Sequence, residues 1–405
     1  MENMNLTHDD FCYINSLNET ELKQYIQDEN YRTQLIAYFG EEEYESLKEL
    51  LVARPHLAGL AETEIILLPG IMGSELADEG RRKIWVNLRG LIIDGNFLRL
   101  PLESDDQEVI PANSLQPIGI YQGAYLKTKL WLEKKGYTVH QFPYDWRKPI
   151  DITASQLHDF VEKKAADKRN KQFVFLAHSM GGLVVRRYLD LFGAQAEDRL
   201  DKLIMLGTPN RGSYLPFMAM KGDFPIVKIA GFRYGGLEVR KVVQSFSGLY
   251  ELCPQSQIFG QPDIYKADYW NEDYINQQYL YAAQQFHQNI NARLPEKMFL
   301  IANRSLMTIT RVEREQDGNN WRYKFLGAKV GDGTVPFDSA YLQDIPTYET
   351  KADHGSIQKN NDVLFAIHDL INTRKTESLD RYKPTFNFGL TELEEVDPDE
   401  VILKL

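Results

Sequence analysis

Two periods of hydrophobicity run along this chain, and the places where one gives way to the other mark its elements. Short apolar runs at Glu64 to Leu68, Phe173 to Ala177, Leu203 to Leu206 and Lys297 to Ala302 are bounded by turn residues and read as buried strands, with Tyr137 to Phe142 and Arg322 to Leu326 as further strands. Unbroken runs of this length suit strands covered on both faces. Between them, apolar residues return every three or four positions: in 125–135, in 154–167 through Leu157, Phe160 and Val161, after Gly182 through Leu183, Val184, Tyr188, Leu191 and Phe192, and in 361–371 through Val363, Leu364, Ile367 and Leu370. That spacing puts the apolar residues on one face of a helix. Strands alternating with helices predict an α/β fold with a mostly parallel central sheet flanked by helices, whose ligands bind beyond the carboxyl ends of the strands.

Four stretches depart from this alternation. Leu22, Tyr25, Ile26, Leu35, Ile36, Phe39, Tyr44 and Leu47 recur at helical spacing among many charges, so residues 1–60 read as an accessory helical segment packed on the main domain. Residues 81–117 form a loop-rich excursion over the sheet edge, carrying Trp85 and an apolar patch that includes Leu91, Ile92, Ile93, Phe97, Leu98 and Leu100. From Tyr214 to Val243, Leu215, Phe217, Met218, Phe224 and Phe232 crowd a sequence interrupted by Pro216, Pro225 and Gly231, where neither a clean strand nor a long helix fits. This predicts an inserted cap over about 214–291, with Trp85, Phe217, Met218, Phe224 and Phe232 facing a substrate. The main domain then spans 61–375, and the acidic, Pro-punctuated residues 376–405 form a surface tail.

Composition narrows the function. A hydrophobic content of 43% supports a large core, and a net charge of -12 argues against nucleic acid, which needs clustered Lys and Arg. Cys12 and Cys253 are the only cysteines, so a disulfide framework is excluded. The first residues lack both a basic start and an apolar run, and no apolar stretch reaches membrane-spanning length, so the expected location is cytoplasmic. Within Tyr214 to Val243, however, Lys221, Lys228, Arg233, Arg240 and Lys241 outnumber Asp223 and Glu238. In an acidic protein this is the surface expected to approach lipid headgroups.

The chemistry centres on Phe173 to Leu189, where a strand runs into a helix with almost no loop. Ser179 sits in that corner in the pattern Ala177-x-Ser179-x-Gly181, a variant of the nucleophile elbow. Small neighbours are needed two positions before and after the serine because strand and helix come into near contact there, and alanine meets that demand. A serine hydroxyl needs a base to take its proton, usually histidine, and the histidine needs a carboxylate to fix its tautomer. Among eight histidines, His354 lies in a Gly-flanked loop after the last sheet strands, whereas His178 adjoins Ser179 in so tight a turn that packing or hydrogen bonding is its expected role. Asp332, between Gly331 and Gly333, is the preferred acid, with Asp353 and Asp338 as weaker alternatives. The order Ser179, Asp332, His354 is that of the α/β-hydrolases. The Gly-rich turn Pro69 to Ser74 after the first strand lacks the Lys and Ser/Thr of a nucleotide loop, so its use is to aim a backbone N–H at a reacting oxygen. That makes the Ile71 and Met180 amides the expected oxyanion donors. Around Pro143 to Arg147, Asp145 and Arg147 suit a buried ion pair that braces the loop.

The motifs Leu68-Pro-Gly-Ile-Met-Gly-Ser74, Phe142-Pro-Tyr-Asp-Trp-Arg147, Ala177-His-Ser-Met-Gly-Gly182, Leu206-Gly-Thr-Pro209 and Gly331-Asp-Gly-Thr-Val-Pro336 together resemble the lecithin:cholesterol acyltransferase family, which includes lysosomal phospholipase A2 and phospholipid:diacylglycerol acyltransferase. The resemblance runs from about Glu64 to His354. It implies an α/β-hydrolase fold and a serine acyl-enzyme mechanism on lipid esters, carried by Ser179, Asp332 and His354, with no cofactor or metal. The expected partner is a lipid or other acyl ester, with peripheral membrane contact through the cap and no nucleic acid; a protein partner of the N-terminal helices is not legible. Two other readings stand beside this one: a soluble carboxylesterase or thioesterase whose cap closes a small pocket, and a catalytically silent scaffold that binds lipid or protein.

Overall fold

The computed structural model of the protein describes residues 8–52, 63–86, 91, 95–101, 115–166, 168–255, 262–272, 274–318, 320–384 and 392–397. Ile92 and Ile93 of the expected apolar patch lie outside these residues. In chain order the described strands are β1 (Glu64–Leu68), β2 (Ser74–Ala77), β3 (Lys83–Trp85), β4 (Gln116–Ile120), β5 (Thr138–Gln141), β6 (Phe173–His178), β7 (Leu200–Leu206), β8 (Met298–Ala302), β9 (Leu306–Asp317), β10 (Asn320–Gly331), β11 (Thr347–Glu349), β12 (Asp380–Arg381) and β13 (Glu394–Glu395).

The apolar runs become one seven-stranded sheet in the order β12-β11-β8-β7-β6-β1-β5, parallel throughout except for β12. Alternate side chains feed two cores. Ile66, Leu68, Phe175 and Ala177 join the core on one face, with the helices Ile150–Ala165 and Met180–Phe192; Ile65, Leu67, Val174 and Leu176 join the core on the other, with the helices Gln122–Lys134 and Asn361–Thr373. With both faces covered, polar alternation along these strands would bury unpaired polar groups, which explains its absence from the sequence.

The N-terminal segment forms α1 (His8–Ser16), α2 (Glu19–Gln27), α3 (Arg32–Phe39) and α4 (Glu41–Val52). The start of α2 is closed by a capping box: the Asn18 side chain accepts the Glu21 N–H at 3.0 Å, and the Glu21 carboxylate accepts the Asn18 N–H at 2.8 Å. Leu22, Ile26, Leu35, Tyr44 and Leu47 are buried in the same core as Leu126 and Trp131 of the Gln122–Lys134 helix. Burying each such side chain contributes about 1.5–3 kcal/mol, so the segment is fastened to the sheet through that helix.

Two features were not resolved by periodicity. The weakly patterned 214–243 stretch folds as three short helices, Leu215–Lys221, Pro225–Tyr234 and Gly236–Gln244, the first two beginning at the prolines that argued against one long helix. The strand expected at Arg322 to Leu326 is the middle of a long antiparallel hairpin, β9–β10. From the acidic C-terminal segment, Asp380–Arg381 pairs with β11 and Glu394–Glu395 with β10. The Asp145–Arg147 pair is buried and doubly bonded, at 2.8 and 2.7 Å, and Arg147 also donates to the Leu100 carbonyl, which ties the 95–101 segment to the loop after β5.

Candidate active site

The carboxyl end of β6 passes directly into the Met180–Phe192 helix, and Ser179 occupies the corner with φ 52° and ψ -124°. A non-glycine residue held at positive φ costs about 1–3 kcal/mol, an expense usually found where geometry serves function. The corner closes because glycines adjoin it: a Cβ on Gly182 would lie 2.1 Å from Thr208 Oγ1, and one on Gly181 would lie 2.7 Å from the Pro69 carbonyl oxygen.

Three residues distant in sequence meet at this corner. His354 Nε2 lies 2.9 Å from Ser179 Oγ, and His354 Nδ1 lies 2.7 Å from Asp332 Oδ2. Because a carboxylate only accepts, Nδ1 carries the proton and Nε2 accepts from the serine hydroxyl. Asp332 is itself held: its Oδ1 accepts the Thr334 and Val335 N–H groups at 2.9 and 2.6 Å, and its carbonyl accepts the His354 N–H at 3.0 Å. The tight turn from Gly331 to Pro336 supplies the two amides on Oδ1. Of the alternative acids, Asp353 instead accepts the Ser356 N–H, and Asp338 lies in the first turn of the Phe337–Ala340 helix. Ser179, Asp332 and His354 are all buried.

Ile71 borders the cavity beside Ser179, and Met180 opens the helix behind it. Among the described residues neither amide has a protein acceptor, so both remain available at the positive end of a helix of 13 residues and in the turn facing it. His178 is buried beneath the site between Tyr125 and the His354 backbone, where burial and the neighbouring His354 push its pKa down to about 3, so it stays neutral. Among the described residues no group of three His, Cys, Asp or Glu is placed to hold a metal ion.

Ser179 and His354 open on a cavity of about 1270 Å³, counting its mouth, whose described wall contains no Lys, Arg, Asp or Glu. Trp85 and Phe224 line it as expected, together with Trp146, Val227, Val243 and Phe246. Three expected lining residues do not. Phe217 and Met218 are buried on the opposite face of their helix from Leu215 and Ala219, with Phe217 stacked on Trp270 at 4.2 Å between centroids. Phe232 is 91% exposed, because Val227 and Ala230 take the inward face of the Pro225–Tyr234 helix. The basic surface is also smaller than its local charge count: Lys221 and Arg240 both pair with Glu272, at 2.7 and 3.1 Å, and Lys241 pairs with Glu238. Glu272 lies outside the counted stretch, so sequence proximity could not reveal the pairing. Tyr121 and Tyr125, one helical turn apart on the Gln122–Lys134 side of the cavity, were missed because no motif marks them.

A mostly parallel sheet flanked by helices, with a serine, a histidine and an aspartate meeting at its carboxyl edge, is the α/β-hydrolase fold. The chain belongs to the lecithin:cholesterol acyltransferase family, whose profile matches residues 118–383. The chain is also 29% identical over 158 residues to the uncharacterized protein YJR098C of Saccharomyces cerevisiae, spanning 37% of this chain and 24% of the yeast protein. It is similar in fold to a chain of the Tle4–Tli4 complex, with a TM-score of 0.50, 13% identity, and 75% of this chain and 96% of that chain covered. It is also similar to the mature lipase BlEst2 of Bacillus licheniformis, with a TM-score of 0.40, 13% identity, and 79% and 94% covered. No helix among the described residues is long and apolar enough to cross a membrane.

Proposed function

We propose that the protein removes a long acyl chain from a lipid ester through an acyl-enzyme on Ser179, passing it to water or to a second alcohol. The observation that carries this reading is the cavity opening on the Ser179–His354–Asp332 array, whose described wall holds no Lys, Arg, Asp or Glu. Ser179 Oγ attacks the ester carbonyl as its proton moves to His354 Nε2. The carbonyl oxygen becomes an oxyanion held by the Ile71 and Met180 amides, an arrangement in which each donor is worth about 10²–10³-fold in rate. The tetrahedral species collapses, breaking the bond to the alkoxy oxygen, and His354 returns its proton to the departing alcohol. Asp332 holds the imidazolium in place throughout. Water or a second alcohol then attacks the acyl-enzyme, giving its proton to His354, and Ser179 is released with its proton restored.

The absence of charge from the described cavity wall favours the hydrocarbon part of the substrate inside and a polar headgroup at the mouth, since an unpaired buried charge is costly. The outer face of the Pro225–Tyr234 helix supports contact of the cap with a lipid surface: Ile229 and Phe232 are exposed, with Arg233 beside them, while Val227 of the same helix lines the cavity. The test is product analysis with phosphatidylcholine vesicles and an added long-chain alcohol. Release of free fatty acid, or its transfer to the alcohol, is the expected result, with a preference for long over short p-nitrophenyl esters. Strict preference for acetyl or butyryl esters, with vesicles untouched, would replace this reading by that of a soluble carboxylesterase.

A further inference from the structure

A continuous hydrogen-bonded chain crosses beneath the site from the Gly70 turn to the His354 loop. The Gly70 N–H lies 2.9 Å from Tyr125 Oη, Tyr125 Oη lies 2.7 Å from His178 Nδ1, and His178 Nε2 lies 3.0 Å from the His354 carbonyl oxygen. Every proton in it can be assigned from donor capacity alone. The His354 carbonyl only accepts, so His178 carries its proton on Nε2. His178 Nδ1 must then accept, so the Tyr125 hydroxyl donates to it and uses a lone pair to accept the Gly70 N–H. The chain runs in one direction, and each link is buried, with Tyr125 2% exposed and His178 7% exposed.

From this geometry we infer that Tyr125 and His178 are positioning residues: they fix the Gly70–Ile71 turn and the His354 loop relative to one another, and so align the oxyanion donor with the base. The inference rests on the reading of Ser179 as nucleophile. Gly70 is bonded to Tyr125 through its N–H and packs so closely on the serine that an added Cβ would lie 2.8 Å from Ser179 Cβ. The next amide in the turn is that of Ile71, and holding Gly70 restricts where the Ile71 N–H points. At the other end, His178 grips the backbone of His354 while leaving its ring free to serve Ser179 and Asp332. The two imidazoles are 5.0 Å apart, so a charged His178 would oppose the imidazolium that forms on His354 during turnover. Its burial and its fixed tautomer keep it neutral. The same helix secures the far side of the loop: Thr128 Oγ1 donates to the Gln358 carbonyl at 2.7 Å, and Gln358 Nε2 donates to the Gly355 carbonyl at 2.8 Å.

Tyr125→Phe deletes one hydroxyl and keeps the ring. On a long-chain p-nitrophenyl ester its kcat is expected to fall about 10- to 100-fold, less than outright loss of an oxyanion donor, with KM within about twofold of wild type. His178→Phe breaks the same chain, so it should lose a similar factor, and the double variant should lose no more than either alone. His178→Gln keeps a donor and an acceptor and should recover kcat to within about fivefold of wild type; it also tests the chain without touching tyrosine should Tyr125→Phe fail to fold. Folded variants with wild-type kcat, losses confined to KM, or losses that multiply in the double variant would overturn the inference. Ser179→Ala is run alongside: if it abolishes turnover while Tyr125→Phe does not lower it, the positioning role alone fails, and if it leaves turnover intact, the underlying reading fails.

Discussion

Asp332→Asn should be more damaging than the loss of one charge. Asp332 Oδ1 accepts two backbone N–H groups, from Thr334 and Val335, while Oδ2 faces His354 Nδ1. Asparagine has one acceptor oxygen and one donor nitrogen on that head. Turning the oxygen toward His354 would set the NH2 group against two backbone donors, leaving each without an acceptor at about 1–3 kcal/mol apiece. The oxygen therefore stays with Thr334 and Val335, and the NH2 group faces His354. His354 Nδ1 must then accept, its proton moves to Nε2, and Nε2 can no longer take the proton of Ser179. A wrong tautomer in such an array costs about 10⁴-fold in kcat, equivalent to about 5 kcal/mol in the barrier. The assay is kcat on a p-nitrophenyl ester together with the thermal midpoint, which should change little because the turn keeps its backbone hydrogen bonds. A folded Asp332→Asn variant within tenfold of wild type would refute the tautomer argument.

Three further outcomes follow from the packing and the charges. Arg147→Ala leaves the Asp145 carboxylate buried without its doubly bonded partner and should destabilise the fold by about 3–5 kcal/mol in urea unfolding; a change under 1 kcal/mol would contradict that. Burial pushes the Glu251 carboxyl up to about 8 from an ordinary 4.5, so between those values only the unfolded chain has released its proton and stability falls as pH rises, by up to about 1.4 kcal/mol per unit. Glu251→Gln should therefore match wild type in thermal midpoint near pH 5 and exceed it at pH 8, whereas an offset independent of pH would count against this. Ile229→Ser with Phe232→Ser should lower activity on phosphatidylcholine vesicles at least tenfold, since burying each side chain in lipid is worth about 1.5–3 kcal/mol, and leave a soluble ester nearly unaffected; equal losses on both would remove the cap from membrane contact.

The sheet and the three residues at its carboxyl edge were readable because each depends on local sequence. Buried strands declare themselves as apolar runs, and Ser179, Asp332 and His354 each sit in a turn that small residues make possible. What the cap presents to the cavity was not readable in the same way. Phe224 and Phe232 are alike in sequence, but one lines the cavity and the other lies in solvent, a distinction made by the direction of short helices packed on distant parts of the chain. Lys221 and Arg240 looked like a basic surface because Glu272, which pairs with both, lies some thirty residues or more away in the chain. Tyr125 carries no motif at all. Its part follows from contacts with Gly70 and His178, each more than 50 positions distant.

Covalent transfer through Ser179 can be observed by quenching the protein in acid during turnover of a slow long-chain ester and mapping the adduct by peptide mass spectrometry. An acyl mass increment on Ser179 is expected, with both the adduct and turnover lost in Ser179→Ala. Turnover that persists in Ser179→Ala, or an acyl group carried on another residue, would contradict it.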